Sequence, residues 1–247
     1  MPGPSAEALR LFAERSASTE GFAIPGDPLV RYRLMSPERI APGRRYPLVI
    51  FLHGAGERGD DNALQLKYLP EILARAENRE RYPCFVVAPQ CPAGRQWIEV
   101  PFNEIESRPI TTSGTALRML KAVCSDVLAR EPIDEDRVYL TGLSMGGFGC
   151  WYLASFTADT LAAVSPICGG GDEAAAAALK SLPVWAVHGS LDEAVPVERS
   201  RNMIAAIRAA GGNPKYTELS DVGHDSWTPA YEPSFGLLEW MFEQRRS

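Results

Sequence analysis

Val138-Tyr139-Leu140-Thr141-Gly142-Leu143-Ser144-Met145-Gly146-Gly147 carries an apolar, β-branched and aromatic run into a Gly-x-Ser-x-Gly pentapeptide and then into helix-like sequence. The pattern reads as a strand, a sharp turn and a helix start. Gly142 and Gly146 flank Ser144 two residues to either side, where so tight a turn leaves no room for a Cβ. Ser144 is left at the apex, and the backbone N–H of Met145, in the first turn of the following helix, points at the same place. A serine alone is a poor nucleophile; it needs a base within hydrogen-bond reach and an acid to orient that base. In a chain with 21 glycines the same five residues also arise as an ordinary glycine-rich turn, so the partners elsewhere decide the reading.

Working outward, the segments around this stretch alternate between strand and helix. Leu48 to Leu52 and Cys84 to Pro89 are continuous apolar runs of the kind covered on both faces of a sheet, as are Leu161 to Ile167 and Val184 to His188. Lys215 to Leu219 is a final strand. Helices are expected around Leu64 to Ala76, from Ser113 to Arg130, from Met145 to Ser155 and from Val197 to Ala210, the last stopped by Gly211-Gly212. Val30 to Met35 and Phe22 to Ile24, around Pro25-Gly26-Asp27-Pro28, read as an antiparallel edge pair. Ala6 to Arg15 reads as a helix within an N-terminal extension, residues 1–18. The alternation predicts an α/β domain over residues 1–247, with a mostly parallel central sheet of about eight strands and helices on both faces. Cys168 to Val184 is too short to house a lid, so an open site is expected.

Composition limits the partners. The chain has 247 residues, 45% hydrophobic, enough for one sizeable core. A net charge of −6 argues against nucleic acid or an anionic membrane surface as partner. No run approaches the roughly 18 apolar residues of a spanning helix, and Met1 to Ser18 lacks the basic head and apolar segment of an export signal; cytoplasmic residence is the expectation. The five cysteines show no Cys-x-x-Cys spacing, which excludes a zinc framework of that type. A Cys84 to Cys91 bridge is left open, and oligomeric state is not legible.

Three loops at strand ends carry the remaining candidates. His53-Gly54-Ala55-Gly56-Glu57-Arg58-Gly59 follows Leu52, and its glycines let the Ala55 amide serve as a second donor to an oxyanion. His53 itself, preceding a glycine at a buried strand end, reads as a brace for the loop. Asp192 lies just beyond the strand ending at His188, and His224 lies on the loop after Leu219. In a parallel sheet the carboxyl ends share one edge, where ligands and chemistry are placed. Asp172, Asp221 and Asp225 compete with Asp192; Asp225 adjoins the histidine and reads as a shaper of its loop. Trp97 and Trp227 sit in loops, where an aromatic ring either edges a substrate pocket or packs; with Gly56 they are the candidate substrate contacts.

Taken together, Phe51-Leu52-His53-Gly54-Ala55-Gly56-Glu57-Arg58-Gly59, Ala88-Pro89-Gln90-Cys91-Pro92, Gly142-Leu143-Ser144-Met145-Gly146-Gly147, His188-Gly189 through Asp192 to Val195-Pro196, and Gly223-His224-Asp225-Ser226-Trp227 resemble the α/β-hydrolase superfamily. The likeness is to its serine-esterase branch of phospholipase/carboxylesterase, dienelactone hydrolase and feruloyl or polyhydroxybutyrate esterase-like proteins. The order serine, acid, histidine is that of this superfamily. The resemblance implies a carboxylic ester hydrolase working through an acyl-enzyme on a small-molecule ester, with Ser144, Asp192 and His224 as triad and Ala55 and Met145 as oxyanion donors, and with no metal or organic cofactor. A peptidase or acylaminoacyl-type hydrolase on the same triad, or a non-catalytic binding relative, are the alternatives.

Overall fold

The computed structural model describes residues 3–20, 29–107 and 115–246. Ser5 caps α1 (Ala6–Leu11) by accepting a hydrogen bond from the Ala8 amide at 3.2 Å. The chain then extends as β1 (Phe12–Ser18), antiparallel to β2 (Leu29–Met35), in register Phe12 with Met35 through Ser18 with Leu29. This corrects the expected helix over Ala6 to Arg15. Phe12 and Ala17 are fully buried while the residues between them are exposed, a spacing that shows no strand alternation in sequence; the open edge of β2 recruits the segment by backbone pairing. The expected strand at Phe22 to Ile24 lies outside the described residues.

β3 (Tyr46–Leu52) is buried at all seven positions, as its unbroken apolar run requires. The chain beyond it does not form one helix over Leu64 to Ala76. A 3-10 turn at Leu64–Leu66 is followed by α2 (Leu69–Ala74) and α3 (Ala76–Arg81), with Tyr68 at φ 65° before α2 and extended Arg75 between the two. Pro70, which lacks an amide hydrogen, suits the first turn of α2. β4 (Phe85–Pro89) is buried throughout, α4 (Thr115–Arg130) turns Leu120, Val123 and Val127 inward, and Leu128 is exposed. β5 (Ile133–Leu143) begins earlier than its apolar run suggests and takes in Asp134, Glu135 and Asp136 at its half-exposed start.

α5 (Met145–Thr157) follows directly, then β6 (Ala163–Ile167), β7 (Trp185–Gly189), α6 (Glu198–Ala209), β8 (Lys215–Leu219), α7 (Trp227–Tyr231) and α8 (Leu237–Glu243). The eight strands among the described residues make one open sheet in the order β1-β2-β4-β3-β5-β6-β7-β8. β2 is antiparallel to both its neighbours, and every pair from β4 to β8 is parallel. Two apolar clusters cover the two faces. One includes Leu48, Ile50, Leu140, Trp151 and Val123, the other Val49, Phe51, Tyr139, Trp185 and Met241. Alternate residues of β3 and β5 thus point to opposite clusters, the period-two signature of a sheet sandwiched between helices. The five cysteines are free thiols. No helix among the described residues is long and apolar enough to cross a membrane.

A candidate active site at the carboxyl edge of the sheet

Ser144 closes β5 and caps α5 with φ 53° and ψ −118°, a conformation that L-residues rarely hold. Its amide donates to the Ile167 carbonyl at 2.9 Å, and its carbonyl accepts from the Phe148 amide at 3.0 Å. The turn is locked by close approach. A Cβ at Gly142 would lie 2.5 Å from the Leu52 carbonyl oxygen, and one at Gly146 would collide with the same oxygen. The strain at Ser144 lifts its hydroxyl off the sheet edge, where it remains 8% exposed.

The loops after β7 and β8 bring the partners. The Ser190 and Leu191 amides donate to the Leu219 and Val222 carbonyls, and the Asp221 amide donates to Ser190 Oγ at 3.0 Å, so the acid and histidine loops are tied together before any side chain meets. His224 Nε2 lies 2.9 Å from Ser144 Oγ, and His224 Nδ1 lies 2.7 Å from Asp192 Oδ2. The carboxylate of Asp192 is fully buried. Its Oδ1 accepts from the Ala194 and Val195 amides, each at 2.9 Å, and its Oδ2 also lies 3.2 Å from His188 Nε2. Burial alone would raise this carboxyl; hydrogen bonds from His188, His224 and the Val195 amide outweigh it and hold the group well below the usual carboxylate range. An ionised acceptor at this position fixes the proton of His224 on Nδ1 and leaves Nε2 free to accept one from Ser144.

The loop after β3 is fastened at its polar groups. His53, wholly buried, donates from Nδ1 to the Gly54 carbonyl at 2.7 Å and accepts at Nε2 from the Cys91 amide at 2.9 Å. Burial pushes its pKa down to about 4. Trp97 Nε1 donates to the His53 carbonyl, Arg58 Nε to the Ala55 carbonyl, each at 2.9 Å, and Gln90 Nε2 to the Glu57 carbonyl at 3.0 Å. Ala55 opens the 3-10 helix Ala55–Glu57 and Met145 opens α5. First-turn amides have no partner within their own helix. A Cβ on Gly54 would lie 2.8 Å from Leu143 Cδ1, one residue before the serine, so this loop and the start of α5 flank the same space.

The sequence model of the phospholipase/carboxylesterase family matches residues 39–232. The chain belongs to that family. A solved structure described as a thermostable esterase is similar to this phospholipase/carboxylesterase-family chain with TM-score 0.83 and 36% identity, covering 97% of this chain and 64% of the other. Among characterised proteins, similarity extends to a bifunctional acetylxylan esterase/xylanase of Neocallimastix patriciarum, 28% identical over 70% of this chain and 23% of the relative. It extends also to a poly(3-hydroxyalkanoate) depolymerase C of Paucimonas lemoignei, 31% identical over 50% of this chain and 28% of the relative. The chain therefore spans only about a quarter of the length of those two relatives.

Within this family member, the other residues singled out from sequence fall out differently. Gly56 is exposed, with open space where a Cβ would stand. Trp97 is 1% exposed, edge-on to His53 with ring centroids 5.2 Å apart, and lies against Gly149 of α5. It braces the loop from below, its ring buried and its indole N–H committed to the His53 carbonyl, which is the packing alternative left open by the sequence. Trp227, half-buried, stands edge-on to His224 at 5.2 Å. Asp172 accepts from the Ala174 amide, and Asp225 accepts from Thr228, so both cap local turns. Cys168 Sγ lies with one atom each of Asp192 and His224 inside a 4.8 Å cluster. Burial drives that thiol's pKa up, and a metal would need the thiolate. Sequence reasoning missed His188 as a second partner of Asp192, its Nδ1 set 2.7 Å from Ser200 Oγ; it missed Tyr68 too, whose ring faces Trp227 at 5.6 Å. The only signal for His188 was its position, four residues before the acid.

Proposed function

We propose that this chain hydrolyses carboxylic esters of small to medium acyl or aryl groups through a covalent acyl-enzyme. The observation that carries the reading is the hydrogen-bonded sequence Ser144 Oγ, His224 Nε2, His224 Nδ1, Asp192 Oδ2, ending on a strained serine. Ser144 Oγ attacks the ester carbonyl carbon while His224 Nε2 takes its proton. The carbonyl electron pair moves to oxygen, where the Met145 and Ala55 amides donate to the oxyanion. Collapse re-forms the carbonyl and expels the alkoxide, which receives the proton from His224 and leaves as the alcohol. Water, deprotonated by the same nitrogen, then attacks the acyl-serine; the second collapse releases the acid and returns the proton to Ser144. Asp192 keeps its charge throughout and stabilises the imidazolium.

Ser144→Ala tests this with p-nitrophenyl acetate, butyrate and octanoate beside methyl ferulate and matched peptide amides. The expected result is loss of ester turnover to below about a thousandth of the parent rate, with the fold intact by circular dichroism. Residual turnover above that level, or no fluorophosphonate labelling of the native parent protein, would count against the reading. Faster cleavage of the amides than of the esters would move it to a peptidase.

A further inference from the structure

Tyr68 is a second residue with strained backbone beside the site. It holds φ 65° and ψ −115° at the entrance to α2, close to the values at Ser144, although no catalytic turn requires them there. A non-glycine residue stays in such a region only where its surroundings over-determine it. Two sets of contacts do so. On one side the Tyr68 ring stands 5.6 Å from Trp227, edge to face, and Trp227 in turn stands 5.2 Å from the His224 ring. On the other side Lys67, the preceding residue, sets its Nζ 4.0 Å from Glu57 Oε1, with the two side chains only 12% and 4% exposed.

Glu57 belongs to the loop that carries Ala55. Its carboxylate folds back against the start of that loop, where a Cβ placed on Gly54 would stand 3.2 Å from Oε2. The Lys67-Tyr68 turn thus touches both halves of the proposed machinery, the histidine through Trp227 and the oxyanion loop through Glu57. An ester attacked by Ser144 must place its carbonyl carbon about 3 Å from the serine oxygen and its carbonyl oxygen about 3 Å from the oxyanion donors, and a displacement of about 1 Å costs about a hundredfold in rate.

We infer that the Lys67-Tyr68 turn sets the spacing between the oxyanion loop and His224, with Glu57, Lys67 and Tyr68 acting as positioning residues. The inference rests on the serine-hydrolase reading above. Burying an ion pair is costly for one partner alone, so the informative change removes both charges, Glu57→Gln with Lys67→Met. The ring is tested by Tyr68→Ala, with Tyr68→Phe as its conservative counterpart.

The assay is steady-state hydrolysis of p-nitrophenyl butyrate, with folded fraction from thermal melts. In the double variant and in Tyr68→Ala, kcat should fall about 10- to 100-fold while KM stays within about threefold, and Tyr68→Phe should restore most of the rate lost in Tyr68→Ala. A merely structural role would lower the melting temperature and leave kcat per folded molecule at the parent value, which would overturn the inference. Should the double variant fail to fold, Lys67→Arg, which keeps the charge but alters its reach, carries the same expectation of lowered kcat, and an unchanged kcat there overturns it too. Absence of Ser144-dependent turnover in the parent protein would instead remove the reading beneath it.

Discussion

His53 should make the protein lose stability across a defined window of acid pH. Its ring is fully buried, with Nδ1 donating to the Gly54 carbonyl and Nε2 accepting from the Cys91 amide. Both nitrogens are satisfied only in the neutral form, because a proton on Nε2 would face the Cys91 N–H. The folded ring accordingly titrates at about 4, against an ordinary value of 6.5. Below pH 6.5 the unfolded chain binds the proton and the folded chain does not, so unfolding is favoured increasingly until pH 4, where the folded ring also accepts it. At about 1.4 kcal/mol per pH unit, the contribution present above 6.5 and gone below 4 is about 3 kcal/mol. Urea unfolding at pH 7.5 and 4.5 measures it, with His53→Asn as the reference in which other titrating groups are shared. The parent should lose about 2 to 3 kcal/mol more than the variant between the two conditions. Equal losses, or a His53 C2 proton resonance titrating near 6.5 in the folded protein, would refute the argument.

Asp192→Asn removes the charge that fixes the His224 tautomer, and an amide nitrogen at that place can drive Nδ1 into accepting. By analogy with other triads kcat should fall about ten-thousandfold, measured on p-nitrophenyl butyrate with the fold checked by circular dichroism; a loss below tenfold would mean that Asp192 is not the orienting acid. Gly146→Ala places a methyl on the Leu52 carbonyl oxygen, and chemical denaturation should show a destabilisation of about 3 kcal/mol; an alanine variant as stable as the parent would contradict the packing described for the turn. Burial raises the thiols of Cys84 and Cys91 to about 12. At pH 8 a disulfide reagent should modify them more than about a hundredfold slower in native than in urea-unfolded protein, and comparable rates would show that these thiols are open to solvent.

The fold was legible where burial is continuous. β3, β4, β6 and β7 are covered on both faces, so their apolar runs stand out without any knowledge of their neighbours. Their parallel order follows from the helices between them, and it places the ends of β5, β7 and β8 on one edge. That is why Ser144, Asp192 and His224 could be singled out although 80 and 32 residues separate the histidine from the other two. Ser144 was legible for a local reason, since the close approach at Gly142 and Gly146 demands particular residues at fixed offsets.

Other features are set by contacts between segments distant in the chain, and no local pattern records them. Phe12–Ser18 became a strand because β2 offered it an unpaired edge, not because its side chains alternate. The helix expected over Leu64 to Ala76 broke at Tyr68, whose strained backbone is held among Trp227 and its neighbours. Trp97 reads from sequence as either a pocket edge or a packed ring, and only the folded chain decides for packing, with its indole N–H turned inward to the His53 carbonyl. His188 gained its place beside Asp192 only when β7 and the following loop folded over it. The sequence alone thus determined which strands are central and which residues terminate them, because burial and steric exclusion act at the scale of a few residues. Tertiary structure decided the edge pairing, the strained turn and the hydrogen-bond partners behind Ser144, Asp192 and His224, because a backbone or side-chain polar group takes whichever partner the folded chain brings within about 3 Å of it.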